Sequence, residues 1–177
     1  DIAGFARPVS SWVHSIKNSV TAATDTALAV QAALAAPGHI ATLIAPADAM
    51  WNAADQAARA LPHHGPQPVT ADTIDHVAQL LRNGKRSAIL MRGKELTGDG
   101  LEAAGRVAAK TGARLMCDLF SPRTELGAGR VAVERLPYLA EQIVQFLAGT
   151  EQLILVGTKP PASFFAYPNI PSWCSPK

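Results

Sequence analysis

The sequence predicts an α/β protein in which a Rossmann-like domain, a parallel sheet flanked by helices, follows the C-terminal helices and strand of another α/β domain. Short apolar runs alternate with helical periodicity after residue 70, which is typical of βαβ units with right-handed crossovers. An earlier helix and apolar strand end near residue 44, and the intervening residues 52–69 contain three prolines. We therefore predict boundaries at 1–51, 52–69 and 70–177, with the first part too short to be a domain by itself.

The first part is predicted to contain two helices and a strand. Apolar residues recur at helical spacing after Pro8 and predict one amphipathic helix; they are Val9, Trp12, Val13, Ile16 and Val20. Residues 21–36 predict a second helix with Ala23, Ala27, Val30 and Leu34 on one face, ended by Pro37-Gly38. The apolar run Ile40–Ile44 predicts a buried parallel strand, which Pro46-Ala47-Asp48 terminates. Residues 52–60 are rich in alanine and predict a weak helix before the linker.

The second part begins with a capped helix. Thr70 is the predicted N-cap, and Gly84 fits the position after the C-cap. The predicted buried face of this helix consists of Ile74, Val77, Ala78 and Leu81. The predicted strands that follow are Ser87–Met91, Ala113–Cys117 and Leu153–Val156. Helices are predicted from Leu101 to near Gly112 and over Leu136–Leu147. Residues 93–100 are predicted to form a glycine-punctuated turn, and residues 121–135 are predicted to be irregular.

Composition excludes several classes of partner. The chain has 16 Lys and Arg against 14 Asp and Glu, a net charge of +2, and its basic residues are scattered, so we expect no nucleic-acid partner. No apolar run approaches the ~20 residues of a membrane span, and the first residues lack the pattern of a signal peptide, so we expect a cytoplasmic protein without a membrane partner. Cys117 and Cys174 lie in strand-like runs and are predicted to be buried free thiols; a disulfide is the alternative.

Two turns at predicted strand ends are candidates for cofactor binding, because open α/β sheets bind ligands at that edge. Gly93 and Lys94 open the segment G-K-E-L-T-G-D-G, which is neither a dinucleotide-binding fingerprint nor a Walker loop. Asp118 closes the next strand, where a Rossmann domain places its ribose-binding acid. The candidates after the last strand are Gly157, Thr158 and Lys159. FAD or ADP is the candidate ligand, and purely structural turns are the alternative.

Other residues invite weaker hypotheses. His63-His64 suggests a metal site, but neighbouring side chains in an extended segment point apart and no nearby Cys, Asp or Glu completes a set, so a solvated linker is favoured. The tryptophans and the Phe164-Phe165-Ala166-Tyr167 segment lack interleaved basic residues, and we interpret them as core or interface anchors. We also expect that this segment is partly exposed and covers a neighbouring domain or subunit.

Taken in order, these landmarks resemble the thiamine-diphosphate-dependent 2-oxoacid enzymes of the acetolactate synthase large subunit and benzoylformate decarboxylase type. In that family the pyrimidine-binding domain ends with a helix, a Pro-Gly turn, a strand and Pro-x-Asp, and a linker and a Rossmann-like central domain follow. The matching segments here are Pro37-Gly38, Ile40–Ile44, Pro46-Ala47-Asp48, Ala88–Gly93, and Leu153–Gly157 with Lys159. The resemblance covers nearly the whole chain and implies that 1–51 is the end of the pyrimidine-binding domain and 70–177 the central domain.

The resemblance also implies what the chain lacks. The family's catalytic glutamate belongs to a region upstream of Asp1, and its metal and diphosphate site belongs to a third domain marked by Gly-Asp-Gly and a later Asn. Gly98-Asp99-Gly100 matches the first part of this motif. The Asn would then be expected at residues 124–127, and none of these residues is Asn. We interpret it as the start of a helix and predict no catalytic or metal-binding residue in this chain.

The function implied is that of a non-catalytic central scaffold in a cytoplasmic homo-oligomeric enzyme. That parent enzyme would use thiamine diphosphate and Mg²⁺ to decarboxylate a 2-oxoacid substrate and transfer the product to an acceptor, as acetolactate synthase does. The alternative from another class is a free-standing NAD- or FAD-binding Rossmann-like domain, and a third possibility is a pure interaction domain.

Overall fold

The computed structural model describes residues 1–54, 56–62 and 65–176, and these fold as two units, Asp1–Pro68 and Val69–Lys177. The predicted histidine pair 63–64 lies outside the described residues. Within the described part, none of the helices is both long enough and apolar enough to cross a membrane. The predicted α/β class is confirmed, because both units combine helices with parallel strands.

The first unit contains a two-stranded parallel sheet and three helices. Its elements are α1 (Ile2–Ala6), β1 (Trp12–Ser15), α2 (Ser19–Leu34), β2 (Ala41–Ile44) and α3 (Ala47–Trp51). Each residue of β1 pairs with one of β2, from Trp12 opposite Ala41 to Ser15 opposite Ile44. The second predicted helix and the predicted strand are therefore confirmed, although β2 is only half-buried.

The predicted helix over residues 9–20 is wrong, because its central residues form β1. The Ile16 N–H donates to the Ile44 carbonyl at 2.9 Å, and Ser10 Oγ lies 2.6 Å from Thr42 Oγ1, so pairing with β2 extends beyond the strand itself. Asn18 then starts α2, since its side chain accepts a hydrogen bond from the Thr21 N–H at 3.1 Å. Apolar spacing matched a helix by coincidence, and pairing across the sheet decided the conformation.

Two smaller predictions about the first unit also need correction. Residues 52–54 and 56–60 are irregular, and the short helix α3 forms earlier, directly after Pro46. On α2 the predicted buried face is only partly covered, because Val30 and Leu34 are more than half exposed. The two residues that α2 buries are polar, Ser19 and Asp25, and Oδ1 of Asp25 lies 3.2 Å from His14 Nε2 on β1.

The second unit is built on a four-stranded parallel sheet. Its elements are α4 (Ala71–Arg82), β3 (Ser87–Met91), a 3-10 turn (Gly93–Leu96), α5 (Gly98–Thr111), β4 (Arg114–Cys117), β5 (Glu134–Arg135), α6 (Ala140–Phe146) and β6 (Gln152–Val156). The strands are ordered β5-β4-β3-β6, and all neighbours are parallel. The central strand β3 is buried along its whole length, as a strand covered on both faces should be.

Helix and strand boundaries follow the local signals closely in this unit. Thr70 caps α4, because its Oγ1 accepts from the Thr73 N–H at 3.3 Å, and Gly112 ends α5 in the left-handed region at φ +73°. The differences are small: residues 121–135 are irregular only until β5, and α6 begins at Ala140, four residues later than predicted. The predicted face of α4 is half-buried, with Ile74 exposed.

The core of the second unit lies on both faces of the sheet. One cluster packs alternate residues of β3 and β4 against α6, and its buried members are Ala88, Leu90, Met116, Leu136, Ala140, Ile143, Leu147 and Cys174. The other lies on the face covered by α5 and contains Ile89, Met91, Leu96, Ala113, Leu115 and Cys117. Both cysteines are free and buried, as predicted, and burial raises the pKa of the Cys174 thiol.

Candidate functional site

Strand order identifies one position on the sheet where a ligand crevice is expected. Counted from β3, the first strand of the second unit, the order β5-β4-β3-β6 is 3-2-1-4, which matches the first four strands of the Rossmann order 3-2-1-4-5-6. The chain leaves β3 towards β4 on one side and reaches β6 on the other. The topological switch point therefore lies at the carboxyl ends of β3 and β6, where Gly93 and Gly157 follow the strands.

The structure brings these two predicted glycines together. The Arg92 N–H donates to the Val156 carbonyl at 3.1 Å, which continues the pairing of β3 with β6 up to both turns. A Cβ placed on Gly157 would lie 2.7 Å from the Arg92 carbonyl oxygen, closer than Cβ atoms approach another heavy atom. The two backbones therefore touch at the switch point, and only glycine fits at position 157.

A carboxylate lies between the two turns. Oε2 of Glu95 is 3.2 Å from the Cβ position of Gly93 and 3.1 Å from that of Gly157. Glu95 belongs to the 3-10 turn, which is anchored by the fully buried Leu96. A negative charge at this position disfavours a phosphate group, so the crevice as it stands is poorly suited to a diphosphate.

Asp118 lies at the carboxyl end of β4, and both of its oxygens have partners. Its Oδ2 is 3.2 Å from Arg92 Nη1, and its Oδ1 is 3.1 Å from the hydroxyl of Ser121. The Asp118 side chain is 19% exposed, whereas that of Arg92 is 48% exposed, so the guanidinium remains accessible to solvent and to a ligand. A ribose hydroxyl would compete with Arg92 and Ser121 for this carboxylate.

The remaining predicted residues supply positive charge near the same edge. Lys94 and Lys159 are exposed, and neither forms an ion pair within the described part of the chain. Thr158 is half-buried, and its hydroxyl lies 3.4 Å from the Lys159 carbonyl oxygen.

Sequence reasoning did not identify Arg92 or Glu95 as members of this site. For Arg92 a signal was available, because it is a basic residue directly after a buried strand and precedes Gly93. Glu95 carries no such signal. Its position depends on the 3-10 turn, which sequence periodicity did not predict.

Other hypotheses from the sequence concern a glycine motif, a metal site and the aromatic residues. Gly98-Asp99-Gly100 forms the first turn of α5, as interpreted. No group of three His, Cys, Asp or Glu side chains converges as a metal site among the described residues. Trp51 is 87% and Trp173 60% exposed, and Trp12 is half-buried. Within the described units they are therefore not core anchors, and the alternative role as interface anchors stays a prediction. Phe164 and Tyr167 are exposed, as expected for that segment.

Comparison with known proteins places this arrangement in context. A search of protein-family models found no match. The chain is 42% identical over 176 residues to a Mycobacterium tuberculosis protein named "Putative acetolactate synthase large subunit IlvX". The aligned region covers 97% of this chain and 33% of that protein. The chain thus spans about a third of the length of the curated relative that it matches.

Two solved structures share the fold. The thiamine diphosphate-dependent 4-hydroxybenzoylformate decarboxylase of Rhodococcus jostii RHA1 superposes with a TM-score of 0.70 at 16% identity, covering 99% of this chain and 34% of that one. A Mycobacterium smegmatis protein described as a "putative thiamin diphosphate-dependent enzyme" gives a TM-score of 0.63 at 18% identity, covering 100% and 34%. At these identities the structural likeness establishes the fold alone.

Proposed function

We propose that this chain is the central scaffold of a thiamine-diphosphate-dependent 2-oxoacid enzyme, supported by its 42% identity to a protein named as a putative acetolactate synthase large subunit. In this proposal residues 1–51 end the pyrimidine-binding domain, residues 52–69 are a linker, and residues 70–177 are the Rossmann-like central domain. The whole enzyme would decarboxylate a 2-oxoacid and transfer the product to an acceptor, and it would be a cytoplasmic homo-oligomer. Sequence identity extending over nearly the full chain is the observation that carries this proposal.

The described residues of this chain do not fit a thiamine diphosphate or Mg²⁺ site. Gly98-Asp99-Gly100 is taken up by the first turn of α5, and Asp99 is exposed. Within residues 1–54, 56–62 and 65–176, no three carboxylate, imidazole or thiol side chains meet. When bound, thiamine diphosphate itself provides the electron sink for decarboxylation. The role we propose for this chain is therefore to space and support the regions that hold the cofactor, without a catalytic residue of its own.

The decisive experiment reads the native gene on both sides of this segment. We expect an upstream glutamate within a pyrimidine-binding domain, and a downstream Gly-Asp-Gly followed by a correctly spaced Asn. The protein translated from that gene should decarboxylate pyruvate or a related 2-oxoacid only with thiamine diphosphate and Mg²⁺. A reading frame that ends near Asp1 and Lys177, or tight thiamine diphosphate binding by the 177-residue chain alone, would refute the scaffold proposal.

A second candidate function is nucleotide binding at the switch point, and the 3-2-1-4 strand order is the observation that favours it. The candidate residues are Gly93, Lys94, Asp118, Gly157, Thr158 and Lys159, with FAD, ADP or NAD as the ligand. This is also what a free-standing Rossmann-like domain would do. The argument against it is the Glu95 carboxylate between the two glycine turns.

That carboxylate gives a sharp test of nucleotide binding. If a diphosphate enters the crevice, Glu95→Gln should tighten binding by roughly tenfold, because the substitution removes a close like charge and keeps the shape of the side chain. Thermal-shift and calorimetric titrations with FAD, ADP and NAD would measure the change. Glu102→Gln, at an exposed position on α5, is the matched control. No stabilisation of either the wild type or Glu95→Gln by any of the three would exclude the nucleotide site.

A further inference from the structure

The second unit contains another cavity, of about 230 Å³, that shares no lining residue with the switch-point glycines. We call it the aromatic cavity. Its walls are formed by four aromatic rings, the first turn of α6 and two smaller residues; the members are Tyr138, Phe164, Phe165, Tyr167, Leu139, Ala140, Glu141, Ser163 and Ile170. They come from segments that follow β5 and β6, so the cavity also belongs to the carboxyl edge of the sheet.

The aromatic rings fix one another's orientation. Phe165 meets Phe164 nearly at right angles, with centroids 4.9 Å apart and planes at 84°. Its contact with Tyr138 is similar, at 5.7 Å and 81°. Tyr167 packs against Phe165 at 5.6 Å with a 37° tilt, and Phe120 supports Phe164 from outside the lining at 5.5 Å. Edge-to-face pairs of this kind are stabilising, so the rings hold one another in place without a bound ligand. As a result, the ring faces in the cavity wall point in different directions.

The segment that carries three of these rings is tied at its base. The Ser163 N–H donates to the Ser172 carbonyl at 2.8 Å, and the Cys174 N–H donates to the Pro161 carbonyl at 3.0 Å. The Ser163 hydroxyl also donates to the Phe165 carbonyl oxygen. Because Cys174 is buried in the core cluster, these hydrogen bonds attach the loop to the core of the second unit. Even so, Phe164 is 62% and Tyr167 57% exposed, and rings left in water on an ordered loop indicate a binding role.

The charge of the lining selects the class of ligand. Glu141 carries the one carboxylate among the described residues that line the cavity, and none of those residues is Lys, Arg or His. Aromatic faces carry negative potential and attract cations, and they bind methylated ammonium groups in particular. A carboxylate beside such faces adds to that attraction and repels phosphates and carboxylates. The volume is below the ~300 Å³ at which sites for drug-sized ligands begin, so the ligand is small.

From this combination we infer that the aromatic cavity binds a small organic ammonium ion, with the ring faces contacting its alkyl groups and Glu141 balancing its charge. The inference goes beyond the proposed scaffold role and does not depend on it. Neither the glycine turns nor any cofactor is involved, so failure of one proposal leaves the other standing.

Choline is the probe we would use, added to the 177-residue chain and followed by the NMR signal of its methyl protons. Protons held over aromatic faces shift upfield, so the shift reports on the contact itself. We expect a dissociation constant near 1 mM, as for a small ligand with few contacts. The neutral isostere 3,3-dimethyl-1-butanol should bind roughly tenfold more weakly, because it has the same shape without the charge.

Two variants separate the contributions of ring and charge. Tyr167→Leu removes an exposed ring that, among the described aromatic residues, packs against Phe165 alone, and Glu141→Gln removes the carboxylate. Each should weaken choline binding by about two- to tenfold, while Glu102→Gln leaves it unchanged. Equal affinity for choline and its neutral isostere, or unchanged affinity in both variants, would overturn the inference. Sedimentation showing a dimer that Tyr167→Leu dissociates and choline does not would instead assign this face to a second copy of the chain.

Discussion

Replacing Gly157 by alanine tests the close backbone contact on which the switch-point description depends. Gly157 has φ +67°, and an added Cβ would lie 2.7 Å from the Arg92 carbonyl oxygen. Left-handed backbone costs an L-residue about 1–2 kcal/mol. The forced separation of two backbones adds about 1–3 kcal/mol, as overpacking does elsewhere. We therefore expect Gly157→Ala to lower the free energy of unfolding of the second unit by about 2–5 kcal/mol.

Gly112 provides a matched control in the same unit. Its φ is +73°, nearly that of Gly157, but a Cβ there would meet no atom within 4 Å. Gly112→Ala should therefore show the backbone cost alone, about 1–2 kcal/mol. The difference in free energy of unfolding between the two variants measures the steric contact. Both variants replace glycine by alanine, so the effect of alanine on the unfolded chain cancels.

Amide hydrogen exchange of β3 in increasing urea is the appropriate assay. Because the chain has two compact units, a global spectroscopic signal would combine both, whereas exchange of Ser87–Met91 reports on the second unit. Equal destabilisation by Gly157→Ala and Gly112→Ala would refute the reasoning, because it would mean that β3 and β6 do not approach closely at their carboxyl ends.

Three further predictions concern the second unit. Leu96→Ala should destabilise it by about 2–5 kcal/mol in the same assay, because Leu96 is 0% exposed and anchors the 3-10 turn. Arg114 donates to both carboxylate oxygens of Glu134, at 3.0 and 2.8 Å, and lowers the pKa of Glu134 below its ordinary 4.5. The Glu134 side chain is half exposed, so the wild type should be more stable than Glu134→Gln by only about 0.5–1 kcal/mol. This stability difference should reach its full size above pH 4.5 and disappear as the pH falls through the lowered pKa of Glu134. Cys117 and Cys174, both buried, should react with a thiol reagent more slowly than the unfolded chain, by a factor on the order of 100 or more.

Each of these predictions has a control or a contradicting result. Leu126→Ala removes the same atoms from a side chain that is 65% exposed and should change the free energy of unfolding by less than about 0.5 kcal/mol. A stability difference between wild type and Glu134→Gln that persists unchanged down to pH 2 would contradict the assigned ion pair. Rapid labelling of both thiols in the folded chain would show that the core clusters open more readily than their burial indicates.

The second unit could be predicted largely from the sequence because its signals are local. Thr70 caps a helix, Gly112 ends one, and the uninterrupted apolar run 87–91 forms a strand buried on both faces. Each of these signals acts through neighbouring residues, so the conformation follows from a few adjacent side chains. The residues chosen as site candidates from their position after strands remain predictions about binding.

Prediction failed where distant contacts decide the structure. Residues 12–15 satisfy a helical pattern of apolar residues, yet they form β1 because β2, some thirty residues later, offers a parallel partner. Trp51 and Trp173 were expected to anchor either a core or an interface, and their exposure in the described units leaves only the interface role as a prediction. A side chain's size and polarity indicate that it can be buried, whereas the arrangement of other elements determines whether it is.

The sequence by itself determined the α/β class, the elements of the second unit and the resemblance to a segment of thiamine-diphosphate enzymes, because capping, periodicity and motif order are properties of neighbouring residues. Only the tertiary structure decided the 3-2-1-4 strand order, the contact of Gly157 with Arg92 and the position of the Glu95 carboxylate between the turns. It likewise decided that rings from segments after β5 and β6 line one cavity with Glu141 in its wall. These features join residues far apart in the chain, and their free energies depend on distances that no local pattern specifies.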